Sequence, residues 1–206
     1  LCRDCGICAR VCGAKAIELD MKPRTLTLSV GAIIACPGFE PFDPGVLDNY
    51  GYGLFPNVVT SIEFERILSA SGPYRGMLLR PSDRREPKRI AWIQCVGSRD
   101  THRAGNGYCS SVCCTYAVKE AVVAMEHGRA DLEATIFHID VRTHGKDFEK
   151  YYERAKSLHG VRFVRSEIHR VLQDASKNLI LRFNENGSMV EEEFDLVVLS
   201  VGMVQG

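Results

Sequence analysis

The segment that constrains the fold most is residues 90–125, IAWIQCVGSRDTHRAGNGYCSSVCCTYAVKEAVVAM. Its apolar start, residues 90–96, predicts a buried strand, and the polar, glycine-bearing stretch that follows predicts a loop leading into a helix. This order is the first half of a βαβ unit, where nucleotide phosphates normally meet a helix N-terminus. A dinucleotide-binding turn would carry G-x-G-x-x-G, but here only Gly97 remains.

Four cysteines occupy the positions where those glycines would be expected. Cys95 ends the predicted strand, and Cys109, Cys113 and Cys114 stand where the helix is predicted to begin. Residues four apart share one face of a helix, and the free N–H groups and macrodipole of a helix N-terminus favour thiolate. Cys95, at the end of the predicted strand, is expected to lie near these cysteines, in the crevice beyond the carboxyl end of the sheet. The pattern therefore predicts an iron–sulfur site in place of a phosphate site.

Other chemistries fit the same four cysteines. Free core cysteines, a disulfide or a structural zinc site remain open, and so does the number of cysteines that act as ligands. A nicotinamide cofactor would need an acidic residue near the end of the second strand, and Asp140, with Arg142 beside it, is the candidate.

A second cysteine group lies at the N-terminus, where Cys2, Cys5, Cys8 and Cys12 follow the ferredoxin spacing for [4Fe–4S] ligation. Gly6 supplies the torsional freedom that such a tight loop needs. In two-cluster ferredoxins the fourth cysteine of a run ligates the other cluster. The first three cysteines are therefore predicted to hold one cluster, and Cys12 to serve a second.

Composition limits the class of protein. Nine cysteines in uneven groups among 206 residues favour a reducing, cytoplasmic setting with metal or redox chemistry. Lysine plus arginine equals aspartate plus glutamate, at 26 each, so no global field attracts nucleic acid or an anionic membrane. No apolar run is long enough to span a bilayer. Because residue 1 is leucine beside a cysteine motif, we expect the chain to be a piece of a longer protein.

The remaining patterns predict an α/β fold. Residues 24–30 and 31–38 are predicted strands, with Cys36 a small core residue, and a helix starts at Thr60 or Ser61. After the central helix, the order strand, helix, strand predicts a parallel sheet, and residues 167–194 predict a β-meander.

The fold class is therefore a three-layer, nucleotide-binding-like α/β domain with a parallel sheet and a β-meander, preceded by a partial ferredoxin segment. We expect three parts: a ferredoxin segment over residues 1–22, FAD-domain strands and a crossing linker over 23–46, and an NAD(P)-binding-like domain over 47–206.

Two motifs, IQCVGSRD at residues 93–100 and YCSSVCCTYAVKEA at residues 108–121, carry a family resemblance. Together with the N-terminal cysteine run and GFEPFD at residues 38–43, they make the chain similar to the A subunit of heterodisulfide reductase. The chain also resembles the flavoprotein subunits of the quinone-interacting membrane-bound oxidoreductase.

The resemblance implies a thioredoxin-reductase-like flavoprotein with an inserted ferredoxin module, FAD and several [4Fe–4S] clusters. The two cysteine groups match the family's cluster ligands. The family's FAD glycine motif is not in this chain, so the expected cofactor contacts are limited to Gly31, Gly38, Phe39 and Gly97.

The predicted function is that of an oxidoreductase component that relays electrons between flavin and iron–sulfur clusters, inactive as an isolated piece. Expected partners are sister subunits and ferredoxin-like proteins, with no nucleic acid and no membrane insertion, and with a homodimer as an option. The alternatives are an NAD(P)H-dependent disulfide oxidoreductase and a zinc-stapled binding module.

Overall fold

The structure is a computed structural model that describes residues 4–204. It divides into two units, between Pro37 and Gly38, which are described separately. In the first unit, helix α1 (Ile7–Val11) follows Gly6, whose φ of 66° lies in the left-handed region that glycine adopts most easily. This is the torsional freedom that the sequence predicted for Gly6.

The strands predicted between residues 24 and 38 are not formed. This stretch is irregular and exposed throughout, with Ile33 and Ile34 at 83% and 89% exposure. A strand requires a neighbour to pair its backbone groups, and none of the described residues pairs with this stretch. For the same reason, the prediction that Cys36 is a buried core residue is wrong, because its side chain is exposed.

The second unit contains most of the regular structure. Its strands, in chain order, are β1 (Glu40–Pro41), β2 (Val58–Thr60), β3 (Arg89–Val96), β4 (Glu133–His138), β5 (Arg162–Arg165), β6 (Val171–Gln173), β7 (Leu179–Glu185), β8 (Ser188–Phe194), β9 (Leu196–Val201) and β10 (Met203–Val204). Its α-helices are α2 (Ser61–Leu68), α3 (Cys113–His127) and α4 (Phe148–Ser157).

The central sheet is parallel, with the strand order β2-β9-β3-β4-β5. Every residue of β9 is buried, and so are most residues of β3. The two strands lie inside the sheet, and other elements of the fold cover both of its faces. This confirms the predicted α/β class and parallel sheet.

Two apolar clusters cover the two faces of this sheet. One joins the helices to the sheet through residues such as Phe64, Trp92 and Ala117. The other joins the antiparallel meander β6-β7-β8 to the opposite face through residues such as Phe137 and Phe183. The order is therefore helices, parallel sheet, meander, which are the three predicted layers. The likeness to thioredoxin reductase stays a prediction.

The helix predicted at Thr60 or Ser61 is confirmed as α2. Thr60 is its N-cap, accepting a hydrogen bond from the backbone N–H of Glu63, whose carboxylate accepts in return from the Thr60 backbone. This reciprocal pair satisfies two backbone donors that the first helical turn leaves free. Among residues 4–204, the helices are too short or too polar for any of them to cross a bilayer.

Glu120 of α3 is a carboxyl group inside the apolar core. It is 1% exposed, and its Oε2 accepts a 2.9 Å hydrogen bond from the indole N–H of Trp92. Its Oε1 has no partner among the described residues. Burial raises the pKa of Glu120 well above its usual range; the Trp92 hydrogen bond and Lys119 oppose the rise, while Glu65 adds to it.

Replacing Glu120 with glutamine should make stability less dependent on pH. The folded parent retains a proton that the unfolded chain releases above the ordinary value of 4.5, so raising the pH destabilises the parent but not the variant. Between about pH 5 and pH 7, we expect the unfolding free energy of the parent to fall relative to that of Glu120→Gln by about 1 kcal/mol per pH unit. The fall should stop once the pH passes the pKa of Glu120 in the folded protein. Urea unfolding across this range measures it, with exposed Glu126→Gln as the control. Parallel pH profiles for parent and Glu120→Gln would contradict the argument.

Candidate metal centre

The four central cysteines, Cys95, Cys109, Cys113 and Cys114, line one cavity. The cavity lies where β3 and β4 end and α3 begins, at the carboxyl edge of the parallel sheet, as the sequence predicted. It is narrow, with a volume of about 10 Å³. Its other lining residues are Ser98, Arg99, Ser110, Ser111, Asp140 and Arg142.

Cys95 reaches the cavity from an irregularity in β3. The pairing of β3 with β9 shifts register between Ile93 and Val96, as at a β-bulge, and Cys95 adopts a φ of 63°. A non-glycine residue in this region is strained, and such strain is concentrated at functional sites. Because a bulge re-aims the side chain that it carries, this local distortion accounts for the position of Cys95.

The other three cysteines come from the loop before α3 and from its first turn. The prediction that Cys109 and Cys113 share one face of the first helical turn is wrong, because the helix begins at Cys113. Ser111 adopts a φ of 63°, a left-handed conformation that a helix cannot continue through, so Cys109 lies in the loop. The three cysteines still face one cavity, through loop geometry rather than helical spacing.

A pair of buried serines fixes this loop. The hydroxyls of Ser98 and Ser110 are 2.6 Å apart, and Ser110 Oγ also accepts a 2.9 Å hydrogen bond from the backbone N–H of Met203. A Cβ on Gly202 would lie 2.2 Å from Ser98 Oγ, so only glycine fits against the pair. The serines thus join the turn after β3, the cysteine loop and the end of β9.

Burial, rather than the helix terminus, dominates the chemistry of the thiols. Burial, together with the neighbouring cysteines, raises the pKa of Cys95 to about 12 and that of Cys113 to about 11, and it raises the pKa of Cys114 as well. The neighbouring cysteines contribute because thiolates would repel one another. For these three thiols, burial outweighs the predicted preference for thiolate.

Tyr116 and the end of β9 form one wall of the site. The hydroxyl of Tyr116 donates a 2.6 Å hydrogen bond to the backbone carbonyl of Val201, toward which the Cys113 thiol also points, at 3.6 Å. Tyr116 belongs to the motif at residues 108–121, which predicted no role for it. Its position three residues after Cys113, on the same face of α3, is the signal that could have found it.

Two arginines and one aspartate form the charged rim of the cavity. Arg99 donates to Oδ1 of Asp140, and the Nε and Nη2 of Arg142 lie 3.3 and 3.2 Å from Oδ2. Burial opposes ionisation of Asp140, but the hydrogen bonds from Arg142 and Arg99 outweigh it and lower the pKa of the carboxyl. Both carboxylate oxygens already accept from arginine, which does not favour the role of ribose ligand considered for Asp140.

The N-terminal cysteines lie in the first unit. Cys8 is within α1 and Cys12 follows it, while Cys5 and Cys8 are exposed and Cys12 is half-buried. Cys2 lies outside the described residues. Among the residues that the structure describes, no three histidine, cysteine, aspartate or glutamate side chains are close enough to hold a single metal ion.

The four predicted cofactor contacts are divided between the two units. Gly31 is an exposed residue of the first unit, whereas Gly38 and Phe39 begin the second unit and are also exposed. Gly97 is buried beyond the end of β3 with a φ of 74°, and a Cβ there would lie 2.1 Å from the Phe42 ring. The close approach of Phe42 gives Gly97 a packing role.

The fold and the site together define a class of protein. It is a nucleotide-binding-like α/β domain in which cysteines line the corner where a phosphate loop would lie. No protein-family model matches the chain.

Several curated relatives do match. The chain is 50% identical over 194 residues to the iron–sulfur A subunit 2 of CoB–CoM heterodisulfide reductase from Methanopyrus kandleri, covering 93% of this chain and 29% of that protein. It is 43% identical over 205 residues to the iron–sulfur A subunit of CoB–CoM heterodisulfide reductase from Methanocaldococcus jannaschii, covering 98% and 31%. It is 40% identical to the A subunit of H2:CoB–CoM heterodisulfide, ferredoxin reductase from Methanothermobacter marburgensis, with the same coverage.

Over nearly its whole length, the chain is homologous to the A subunit of heterodisulfide reductase, which confirms the resemblance predicted from its motifs. The names of these relatives agree with the predicted class, a component of an oxidoreductase, and do not favour the NAD(P)H-dependent or zinc-stapled alternatives. The chain spans less than a third of the length of each of these relatives.

Proposed function

We propose that this chain is an electron-relay segment of an iron–sulfur flavoprotein similar to the A subunit of heterodisulfide reductase. In this proposal Cys95, Cys109, Cys113 and Cys114 hold one [4Fe–4S] cluster. The observation that carries the proposal is the convergence of these four cysteines, from three parts of the chain, on one cavity. When bound, such a cluster accepts and passes on single electrons.

The donor set fits an iron–sulfur cluster. Thiolates are the soft ligands that iron–sulfur clusters and zinc select, and no other soft or imidazole ligand is among the described lining residues. Burial raises the pKa of Cys95 and Cys113, so these two thiols would release protons when they bind a metal, whose positive charge would offset that of the thiolates. The cavity is narrow, and binding would require its side chains to rotate outward.

The chain's own residues prepare this site. The Ser98–Ser110 pair holds the loop, the hydrogen bond from Tyr116 to Val201 holds the wall, and the arginines face the thiols. These contacts position the ligands and limit access of water, which are the means by which a protein sets cluster potential.

The N-terminal group extends the proposal. Cys2, Cys5 and Cys8 would hold a further [4Fe–4S] cluster, and Cys12 would serve a neighbouring one, as the ferredoxin spacing indicates. FAD would be bound largely by other parts of the protein, with the exposed Gly31, Gly38 and Phe39 as the contacts from this chain. The names of the relatives support partners of the heterodisulfide reductase and ferredoxin classes.

Metal analysis of anaerobically purified protein tests the proposal. We expect iron and acid-labile sulfide in equal amounts, and a rhombic electron paramagnetic resonance signal after reduction by dithionite. Incubation with an iron chelator should remove both elements. Zinc at one equivalent without sulfide, retained after anaerobic reconstitution with iron and sulfide, would contradict the proposal. Tight, saturable NADPH binding would instead favour a pyridine-nucleotide oxidoreductase.

A further inference from the structure

The charges at the rim of the cysteine cavity do not cancel. Arg99, Asp140 and Arg142 are the only charged side chains among the described residues that line it. Their sum is one positive charge, because one carboxylate serves two guanidinium groups. We call Arg99 and Arg142 the arginine pair, and Asp140 is the aspartate that they share.

Both arginines lie against the cysteine cavity. Arg99 and Arg142 line it together with Cys95, Cys109, Cys113 and Cys114. The Cys114 thiol also lies 3.9 Å from the backbone carbonyl of Asp140, the residue whose side chain pairs with both guanidinium groups. The positive charge of the rim is therefore placed beside the sulfur ligands.

Asp140 holds both arginines in these positions. Its two oxygens each accept from a different guanidinium, and the side chains are only partly exposed, at 22% for Arg99, 41% for Asp140 and 40% for Arg142. Without this shared partner, two like charges would separate and extend into solvent. The arrangement is specific to this rim, because Arg99 reaches it from the turn after β3 and Arg142 from the segment after β4.

We propose that the arginine pair, positioned by Asp140, sets the reduction potential of the central cluster and favours its reduced state. The inference rests on the proposed function and deepens it. Four thiolates make a bound cluster anionic, and each added electron increases that charge. A fixed positive charge at the edge of a partly desolvated site stabilises the reduced form more than the oxidised one.

The test is a potentiometric titration of the full chain, purified anaerobically and followed by electron paramagnetic resonance. The signal of the central site is identified as the one that Cys113→Ala removes. We expect Arg142→Gln and Arg99→Gln each to lower its midpoint potential by at least about 59 mV, a tenfold change in a one-electron equilibrium. Arg142→Lys keeps the charge and should stay near the parent value.

Two further variants test the positioning role of Asp140 and the specificity of the effect. Asp140→Asn removes the partner that holds both guanidinium groups at the cavity, so the two arginines should extend into solvent and the potential should fall, as in the arginine variants. Arg129→Gln is the matched control, because Arg129 is exposed, pairs with Asp131 and lies beyond the far end of α3, a helix about 22 Å long. It should leave the potential unchanged.

The outcomes distinguish the two proposals. A central signal whose potential is the same in Arg142→Gln, Arg99→Gln and the parent would overturn this inference and leave the proposed function intact. An upward shift in Asp140→Asn would show that the arginines stay in place without their shared partner, and would overturn the positioning role of Asp140. A parent protein without any signal that depends on Cys113 would overturn both.

Discussion

The Cys113→Ala variant is expected to lose the iron and sulfide of the central site while it remains folded. Cys113 is 5% exposed and stands in the first turn of α3, where it faces both the cavity and the carbonyl of Val201. Alanine removes the sulfur without adding volume or charge, and cannot ligate a metal. About four iron and four sulfide ions per chain should disappear.

Elemental analysis and circular dichroism together measure this result. Cys36→Ala is the matched control, since Cys36 is exposed and lies in neither cysteine group. It should retain the iron and sulfide content of the parent. If Cys113→Ala also kept that content, Cys113 would not be a ligand, and the cluster would have to be held elsewhere.

Of the variants proposed, Trp92→Ala should lower the free energy of unfolding the most. Trp92 is fully buried in β3, packs edge to face on Phe64 with 5.4 Å between ring centroids, and donates its indole hydrogen bond to Glu120. Truncating a buried aromatic side chain costs about 3–5 kcal/mol, because apolar contacts are lost and a cavity remains. Urea unfolding at a pH near 7 measures the difference.

Two further variants separate the contributions. Trp92→Phe keeps most of the ring but removes the donor, and should cost about 1–3 kcal/mol, because Glu120 then loses its remaining hydrogen bond. Leu54→Ala, at a residue 78% exposed, should change stability by less than about 0.5 kcal/mol. A loss below about 1 kcal/mol in Trp92→Ala would show that the core is not packed around this ring.

Most of the sheet, its helices and the meander could be predicted because their apolar patterns are long and regular. The three-residue edge strand β2 is the exception, and no pattern predicted it. The apolar run from Ile90 to Val96 and the alternation along β7 each match one element, bounded by turn residues. The stretch over residues 24–38 has an equally apolar pattern but forms no strand, because pairing depends on a partner that local sequence does not specify.

The sequence predicted that the four central cysteines would lie together, but not the geometry that brings them to one cavity. Cysteine positions indicated which residues would meet, whereas the start of α3 at Cys113 depends on the backbone conformation of Ser111. The ionisation of the thiols depends on burial, a tertiary property that outweighs the local effect of a helix terminus. The meeting of Arg99 with Asp140, 41 residues apart, likewise follows only from the neighbouring positions of β3 and β4.

The wall that Val201 provides has a consequence for how the site can arise. Tyr116 and Cys113 reach the Val201 carbonyl across 85 and 88 residues of sequence, from a strand that lies between β2 and β3. Contacts of such long range form only after the intervening chain has been ordered. A synthetic peptide spanning the cysteine motif would therefore lack one wall of its own binding site. The motif can form the site only after the sheet has folded.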